Sequence, residues 1–324
     1  MFELTLRAKK DFSRFGLGLF LIGVVSLVAQ GILVTLWNLT LSNTPLGSSE
    51  ILLWILAVLP MYLIAIPIGM VLIRKIPAEA PSKQKLNFGR FLTLMLICMP
   101  VMLAGNYIGT YLSALLSGGT AQNAVADFVM GNPLYSFIFT VLLAPAVEEY
   151  LFRKQIIDRL GKYGELTAIL FSAVTFGLFH MNLFQFFYAF GLGLIFAYVY
   201  TRTGKLRYPI IMHMIINFLG GVVAPMLVSG LDLDLIEKAS QGLATTDELL
   251  RMTGSLLGYV AYLVVYLGCV IAGLVLLIVR WNQRILLLKE GELLPGTIAN
   301  TVYQNVGMIL FLIFSFIMMV LSLF

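Results

Sequence analysis

The amino-acid composition predicts an all-α protein, a polytopic bundle of transmembrane helices. Of the 324 residues, 60% are apolar and 11% are charged, and the mean hydropathy is +0.96. A soluble domain carries about 25% charged residues, so the composition excludes a soluble globular protein. The apolar residues form long runs, most of them near the roughly 20 residues that one helix needs to cross a bilayer. Cys98 and Cys269 lie far apart in two such runs and are expected to be small core residues with no disulfide or metal role.

On that length criterion we predict about nine transmembrane spans. The fourth is interrupted by two glutamates, and the sixth is short. We divide the chain into an N-terminal region of three spans (1–133), a central region that carries the candidate site (134–222), and a C-terminal region of two spans with an amphipathic outer segment (223–324). The predicted spans are residues 16–37, 51–73, 91–115, 134–152, 165–184, 186–201, 208–229, 255–280 and 305–324.

The distribution of basic residues predicts the orientation in the membrane. Nearly all of the 21 Lys and Arg residues fall on alternate loops, including Arg284 and Lys289 after the eighth span; only Lys238 and Arg251 fall on the opposite side. Because Lys and Arg are enriched in cytoplasmic loops, we expect a cytoplasmic N-terminus and an external C-terminus. The same distribution accounts for the net charge of +5, so we expect no nucleic-acid partner. The expected location is the plasma membrane.

The candidate site begins at two consecutive glutamates, Glu148 and Glu149, which directly follow an apolar run. Ionisable residues at membrane depth are costly and indicate a functional site by default. Residues four apart on a helix share a face, so Glu149 is expected to pair with Arg153 as a structural clamp. Glu148 is rotated by about 100° from Glu149. We therefore expect Glu148 to be the working carboxylate, acting as a general base.

Both histidines of the chain, His180 and His213, lie downstream of this pair. Phe176 precedes His180 by four residues and is expected to pack beside it, and Asn217 follows His213 by four residues. A glutamate with one imidazole can hold and deprotonate a water molecule, while a second imidazole and an amide can donate hydrogen bonds to an oxyanion. Alternatively, Glu148, His180 and His213 could hold zinc with an open position for water. The spacing does not choose between these two chemistries.

The depths of the candidate residues agree only if the fourth helix continues beyond its apolar run. If this helix extends to about residue 160 and the chain turns at 161–164, Glu148 lies twelve residues, or about 18 Å, from the bend. His180 lies fifteen residues, or about 22 Å, beyond the bend at the start of the next helix. A helix that ended at Phe152 would leave the two side chains at different levels. We therefore expect a recessed site that is reached from the cytoplasmic side.

Three motifs in this order resemble the CAAX-protease and bacteriocin-processing family, also called Abi or type II CAAX prenyl endopeptidases. They are Glu-Glu-x-x-x-Arg at 148–153, Phe-x-x-x-His at 176–180 and His-x-x-x-Asn at 213–217. The resemblance covers roughly residues 134–222. Other membrane proteases fit poorly, because the sequence has no HExxH, GxSG or GxGD motif.

The resemblance implies an intramembrane endopeptidase that acts on a membrane protein or a lipidated peptide. In that activity Glu148 activates water with His180, and His213 with Asn217 stabilises the oxyanion. The family pattern implies either a metal-dependent or a glutamate-dependent reaction, so zinc remains open, as does a need for prenylation. The residues implied to hold the site together are Glu149 and Arg153.

Two other classes of function remain open at the level of sequence. One is a non-catalytic membrane protein on the same scaffold, such as an immunity or partner-stabilising factor. The other is a proton-coupled transporter, because intramembrane Glu and His residues also form proton relays. The intact motifs favour the enzyme, and the lack of an inverted repeat argues against the transporter. The sequence predicts neither the oligomeric state nor the cleavage position in a substrate.

Overall fold

The fold is that of a computed structural model, which describes residues 2–280 and 292–324. These residues form helices and connecting turns and contain no strand. The predicted all-α class is therefore confirmed for this part of the chain. Arg284 and Lys289, which contribute to the predicted charge asymmetry, lie outside the described residues. In chain order the helices are α1 (Phe2–Thr40), α2 (Glu50–Ile73), α3 (Phe88–Ser117), α4 (Ala124–Val129), α5 (Pro133–Tyr163), α6 (Glu165–Phe179), α7 (Leu183–Thr203), α8 (Arg207–Ser229), α9 (Leu233–Ser240), α10 (Thr246–Val279), α11 (Ile298–Val302) and α12 (Val306–Leu321).

Seven of these helices are long and apolar enough to cross a membrane: α1, α2, α3, α5, α7, α8 and α10. Helices α6 and α12 coincide with the predicted fifth and ninth spans but have only 15 and 16 residues. At 1.5 Å per residue they are about 22 to 24 Å long, less than the roughly 30 Å of a bilayer core. The chain is thus an integral membrane protein of several helical spans. The number nine and the cytoplasmic N-terminus remain predictions.

Helix α5 continues well beyond the span predicted for it, 134–152. Its charged second half stays helical because basic and acidic side chains pair one turn apart. Arg153 pairs with Glu149 at 2.9 Å, and Lys154 pairs with Asp158 at 2.8 Å. The chain then turns at Gly164, where φ is 127°, a conformation that residues with a Cβ rarely adopt. This is the extension that the depth argument requires.

The boundary between α6 and α7 also differs from the sequence prediction. Helix α6 ends at Phe179 instead of residue 184, because Met181 adopts a left-handed conformation with φ of 54°. Asn182 then starts the next helix, since its Oδ1 accepts a hydrogen bond from the backbone N–H of Gln185 at 2.9 Å. This side-chain acceptor is typical of a helix N-cap. His180 therefore lies on a sharp turn between two helices.

Helices outside the central region pack directly on those that carry the candidate residues. The ring of Phe12 in α1 meets Phe171 in α6 edge to face, with centroids 5.0 Å apart. The hydroxyl of Tyr163 donates to the carboxylate of Asp11 at 2.7 Å, and Lys162 lies 3.2 Å from the same carboxylate. Asp11 and Tyr163 are both buried. Helix α1 is thereby fixed to the end of α5, and α12 packs along α1.

Helix α7 lies between α3 and α6. Its backbone approaches α3 so closely that a Cβ on Gly105 would lie 2.5 Å from the Cα of Tyr188. A glycine is required there for the two helices to touch, as is typical of helix pairs in membranes. The division of the chain at residues 133 and 222 remains a prediction, although residues on both sides of those limits share one hydrophobic core.

Candidate active site

The ion pair of Glu149 and Arg153 lies at the centre of the candidate site. Arg153 donates from Nε to Glu149 Oε2 at 2.9 Å and from Nη2 to Oε1 at 3.2 Å, and both side chains are fully buried. A third donor, Nη1, reaches the hydroxyl of Ser172 on α6 at 2.9 Å. Ser172 in turn donates to the carbonyl of Phe152 at 2.7 Å. Buried charges are tolerated when they are paired and hydrogen-bonded in this way. Because Arg153 also bonds to Ser172, the ion pair joins α5 to α6.

His213 is held between the two glutamates. Its Nδ1 lies 3.0 Å from Glu149 Oε1, and its Nε2 lies 3.9 Å from Glu148 Oε2. An ionised carboxylate only accepts hydrogen bonds, so Nδ1 must carry a hydrogen. The contact between His213 and Glu149 joins α8 to α5. It also means that Glu149 positions a histidine in addition to pairing with Arg153.

His180 is oriented by the end of its own helix. Its Nδ1 lies 2.8 Å from the carbonyl oxygen of Phe176, one of the last-turn carbonyls that a helix leaves without an intrahelical partner. Because a carbonyl only accepts, Nδ1 must carry the hydrogen. In the neutral imidazole, Nε2 then has a free lone pair. That nitrogen can accept a proton from water.

Phe176 packs beside His180, as expected, and also contacts His213 and Arg153. Its ring meets those of His180 and His213 edge to face, with centroids 4.9 and 5.8 Å apart. The guanidinium carbon of Arg153 lies 4.4 Å from its centroid, within the range of a cation–π contact. One aromatic ring therefore touches both histidines and the arginine.

Glu148 differs from Glu149 in its access to solvent. The side chain of Glu148 keeps 18% of its surface exposed, while that of Glu149 keeps none. A carboxylate that must meet a substrate and a water molecule needs such access. Glu148 is therefore the more accessible glutamate of the two, and its role as the working carboxylate remains a prediction.

Asn217 lies one turn beyond His213 on α8. Its Nδ2 donates to the backbone carbonyl of Thr140 on α5 at 2.9 Å. An amide nitrogen carries two hydrogens, so this contact orients the side chain and leaves a second donor. The contacts of Glu149, Arg153, Phe176, His180 and His213 thus adjoin one another, whereas Asn217 contacts the backbone of α5.

The geometry of these residues does not form the zinc site that the sequence left open. Across residues 2–280 and 292–324, no group of three or more His, Cys, Asp or Glu side chains is arranged to hold a metal ion. His213 turns its two ring nitrogens toward two different glutamates, and His180 uses Nδ1 on a backbone carbonyl. The set of Glu148, His180 and His213 therefore does not fit a metal site as it stands.

Several polar residues of the site are not among those predicted from the sequence. Ser172, Phe176 and His180 recur every four residues and so occupy one face of α6, a signal that could have identified Ser172. No spacing could have shown that Thr140 offers its carbonyl to Asn217. Asn182, to which the sequence analysis gives no role, donates from Nδ2 to the carbonyl of His180 at 2.8 Å.

The fold and the site define a class, a polytopic helical membrane protein with a recessed cluster of carboxylates and imidazoles. Residues 130–219 match the model of the Rce1-like type II CAAX prenyl endopeptidase family, so the resemblance seen in the sequence motifs is confirmed. The matched segment contains all the candidate site residues. Helices α1 to α4 and α9 to α12 lie outside it.

Two curated relatives are similar to part of the chain. The putative membrane peptidase YdiL of Bacillus subtilis (strain 168) is 34% identical over 95 residues, which is 29% of this chain and 38% of that protein. The membrane-embedded CAAX protease MroQ of Staphylococcus aureus (strain USA300) is 35% identical over 106 residues, which is 30% of this chain and 42% of that protein. The chain thus spans about two fifths of the length of these relatives. No solved structure matches the chain significantly.

Proposed function

We propose that the protein is an intramembrane endopeptidase that hydrolyses peptide bonds in membrane-associated or lipidated substrates. The observation that carries the proposal is a buried polar cluster at the contact of three helices: Glu149 meets Arg153 and His213, Arg153 reaches Ser172 on α6, and Glu148 stays accessible. The family match over residues 130–219 supports the same activity. We further propose that the protein acts in the plasma membrane.

In the proposed reaction Glu148, assisted by Nε2 of His180, takes a proton from water. The water oxygen attacks the carbonyl carbon of the scissile peptide and forms a tetrahedral oxyanion. Collapse of this intermediate breaks the C–N bond, and the proton held by Glu148 passes to the leaving amine. Proton transfer by a positioned side chain contributes about 10²- to 10⁴-fold to such reactions.

The oxyanion would receive hydrogen bonds from His213 and Asn217. The hydrogen on Nδ1 of His213 is directed at Glu149, so the ring can donate to the oxyanion only from Nε2. That role therefore belongs to the doubly protonated imidazolium. Asn217 can donate its second amide hydrogen while the first stays on the carbonyl of Thr140.

Cleavage of membrane peptides by purified protein tests the proposal. Glu148→Ala and His180→Ala should each lower kcat by about 10²-fold or more, since each removes a proton-transfer group. Glu237→Gln, a change at an exposed carboxylate of α9, serves as the control and should cleave like the wild type. Metal analysis of the same samples addresses zinc. Cleavage by both site variants at the wild-type rate would rule the mechanism out.

A non-catalytic immunity or partner-stabilising role predicts a different result in cells. In that case Glu148→Ala would retain the cellular effect of the protein, because a scaffold does not need the carboxylate for proton transfer. Loss of the cellular effect in Glu148→Ala, at wild-type protein levels, supports the peptidase.

A further inference from the structure

The end of the bundle that carries the bend between α5 and α6 is tightly packed. Every residue of α5 from 151 to 160 is buried except Lys154 and Arg159. Between 165 and 177, the residues of α6 that keep exposed surface recur every four positions and so form one apolar face. They are Leu166, Leu170 and Val174. A face of this kind is suited to lipid and offers no polar route from the bend to the site.

Ionic contacts hold the same end of the bundle together. Glu165 at the start of α6 pairs with Arg202 near the end of α7 at 2.6 Å. The carboxylate of Asp158 accepts a hydrogen bond from the hydroxyl of Tyr200 at 2.8 Å and pairs with Lys154 at 2.8 Å. The ends of α5, α6 and α7 are therefore joined by buried or partly buried charged groups.

The linker between α2 and α3, residues 74–87, also crosses this end. The backbone N–H of Gln84 donates to the carbonyl of Thr203 at 2.8 Å, at the end of α7. The backbone N–H of Leu86 donates to the hydroxyl of Tyr208 at 3.2 Å, at the start of α8. The linker is thus attached to both helices and covers the end of the bundle between them.

The packing becomes more open where α6 meets α7. His180 and the first polar side chains of α7, Asn182 and Gln185, all keep exposed surface. Glu148, about 18 Å along α5 from the bend, keeps 18% of its side chain exposed. Polar side chains are costly against lipid, so we expect water to cover them. These exposed polar groups therefore mark the opening of the site.

Helix α1 changes from buried to exposed at the same level. Gly23 packs beside the turn between α6 and α7, since a Cβ at this position would lie 3.0 Å from Cε of Met181. All the buried residues of α1 lie at or before Gly23, and none of residues 24–40 is buried. The bundle is thus closed on the side of the bend and open beyond the level of Met181.

We propose that substrate reaches the site from the side of the membrane opposite the α5–α6 bend, which is the predicted external side. The inference rests on the proposed peptidase function and on the orientation predicted from Lys and Arg. It specifies the substrate class as a membrane-anchored polypeptide whose scissile bond lies in the outer half of the bilayer or just outside it. The access expected from the sequence is cytoplasmic, and the closed packing at the bend favours the opposite side.

Cysteine labelling with a charged, membrane-impermeant methanethiosulfonate reagent tests the direction of access without relying on cleavage. The background chain carries Cys98→Ala and Cys269→Ala. Glu148→Cys and Gln185→Cys report on the site, and the second keeps the carboxylate of Glu148 in case the first does not fold. We expect both to be modified in right-side-out vesicles and to stay unmodified in inverted vesicles, as measured by mass spectrometry.

Two exposed serines at opposite ends of the bundle supply the controls for sidedness. Ser48 lies in the connection between α1 and α2, on the predicted external side, and Ser82 lies in the linker between α2 and α3. Ser48→Cys should be modified in the same vesicles as the two site variants. Ser82→Cys should be modified only in inverted vesicles.

The outcomes separate this inference from the proposed function. Modification of the site variants on the same side as Ser82→Cys would overturn it, as would no modification from either side while both controls react. If Ser48→Cys itself reacts only in inverted vesicles, the external substrate class is wrong. If the site variants react together with Ser48→Cys but the wild type does not cleave, the peptidase proposal falls while the direction of the opening stands.

Discussion

At the scale of single residues, the guanidinium of Arg153 connects most of the site. It holds both oxygens of Glu149, the hydroxyl of Ser172 and the face of Phe176. Glu149 in turn positions His213. Replacing a buried group with so many partners by one that bonds to only some of them leaves the other polar groups unpaired and destabilises the folded protein.

The first prediction concerns the loss of this guanidinium. Arg153→Met should destabilise the protein by about 3–5 kcal/mol, because it leaves the carboxylate of Glu149 buried without its cation. Adding Glu149→Gln should restore part of the loss, since the uncompensated charge is then gone. Thermal unfolding in detergent measures both effects. A double variant less stable than the sum of the single changes would contradict this account.

The second prediction concerns the amide of Asn217. Asn217→Leu should lower kcat by about 10²- to 10³-fold, the usual effect of removing an oxyanion donor. Ser136→Ala is the control, because the Ser136 hydroxyl donates to the carbonyl of Gly221 at 2.7 Å and so also joins α5 to α8. If both variants lose activity equally, Asn217 only ties the helices together.

The spacing of residues predicts contacts within one helix better than contacts between helices. The pairs Glu149–Arg153 and Phe176–His180 follow from the four-residue repeat, and both are present. The contact of His213 with Glu149 could not be predicted, because the sequence does not specify how α5 is rotated toward α8. For the same reason, the spacing was compatible with a zinc site formed by Glu148, His180 and His213, but the packing of the helices does not bring these side chains into a metal-binding arrangement.

At the scale of helices and turns, the sharp break at Met181 fixes His180. The left-handed backbone at this residue ends α6, and the cap at Asn182 starts α7 at once. The hydrophobic pattern runs through the break without interruption, so it could not place the end of α6. Conversely, the charged residues after 152 predict the end of the fourth span there, although the i,i+4 ion pairs allow the helix to continue.

The third prediction concerns this cap. Asn182→Ala should destabilise the protein by about 0.5–2 kcal/mol, the usual cost of losing a helix cap, and should also lower kcat. Asn87→Ala removes an equivalent cap, since Asn87 accepts from the backbone N–H of Arg90 at 2.8 Å at the start of α3. It should produce a similar loss of stability with no change in kcat. Unfolding curves and cleavage rates for both variants check this, and equal rates would contradict a role for the turn in activity.

At the scale of the whole molecule, the positions of Lys and Arg predict the orientation in the membrane. The sequence predicted an all-helical membrane protein because apolar composition and span length depend little on packing detail. It could not fix the number of crossings, since α6 and α12 are shorter than a bilayer core.

The fourth prediction concerns this orientation. A reporter that is active only in the cytoplasm should be active when fused before α1 and inactive when fused after α12, since the basic loops are expected inside. A reporter active only outside should give the opposite pattern. Equal activity of one reporter at both ends would show an even number of crossings, and the predicted nine would be wrong.

The bond between Asp11 and Tyr163 joins a helix outside the family match to a helix inside it. Loss of Asp11 would leave the buried hydroxyl of Tyr163 without its acceptor, at a cost of about 1–3 kcal/mol, whereas loss of the phenol would leave Asp11 paired with Lys162. Among proteins that share this architecture, the two positions should therefore covary in one direction: where the acid is lost, the phenol should be replaced by an apolar side chain. The N-terminal helix would then diverge in step with the protease-like segment, although no motif marks it.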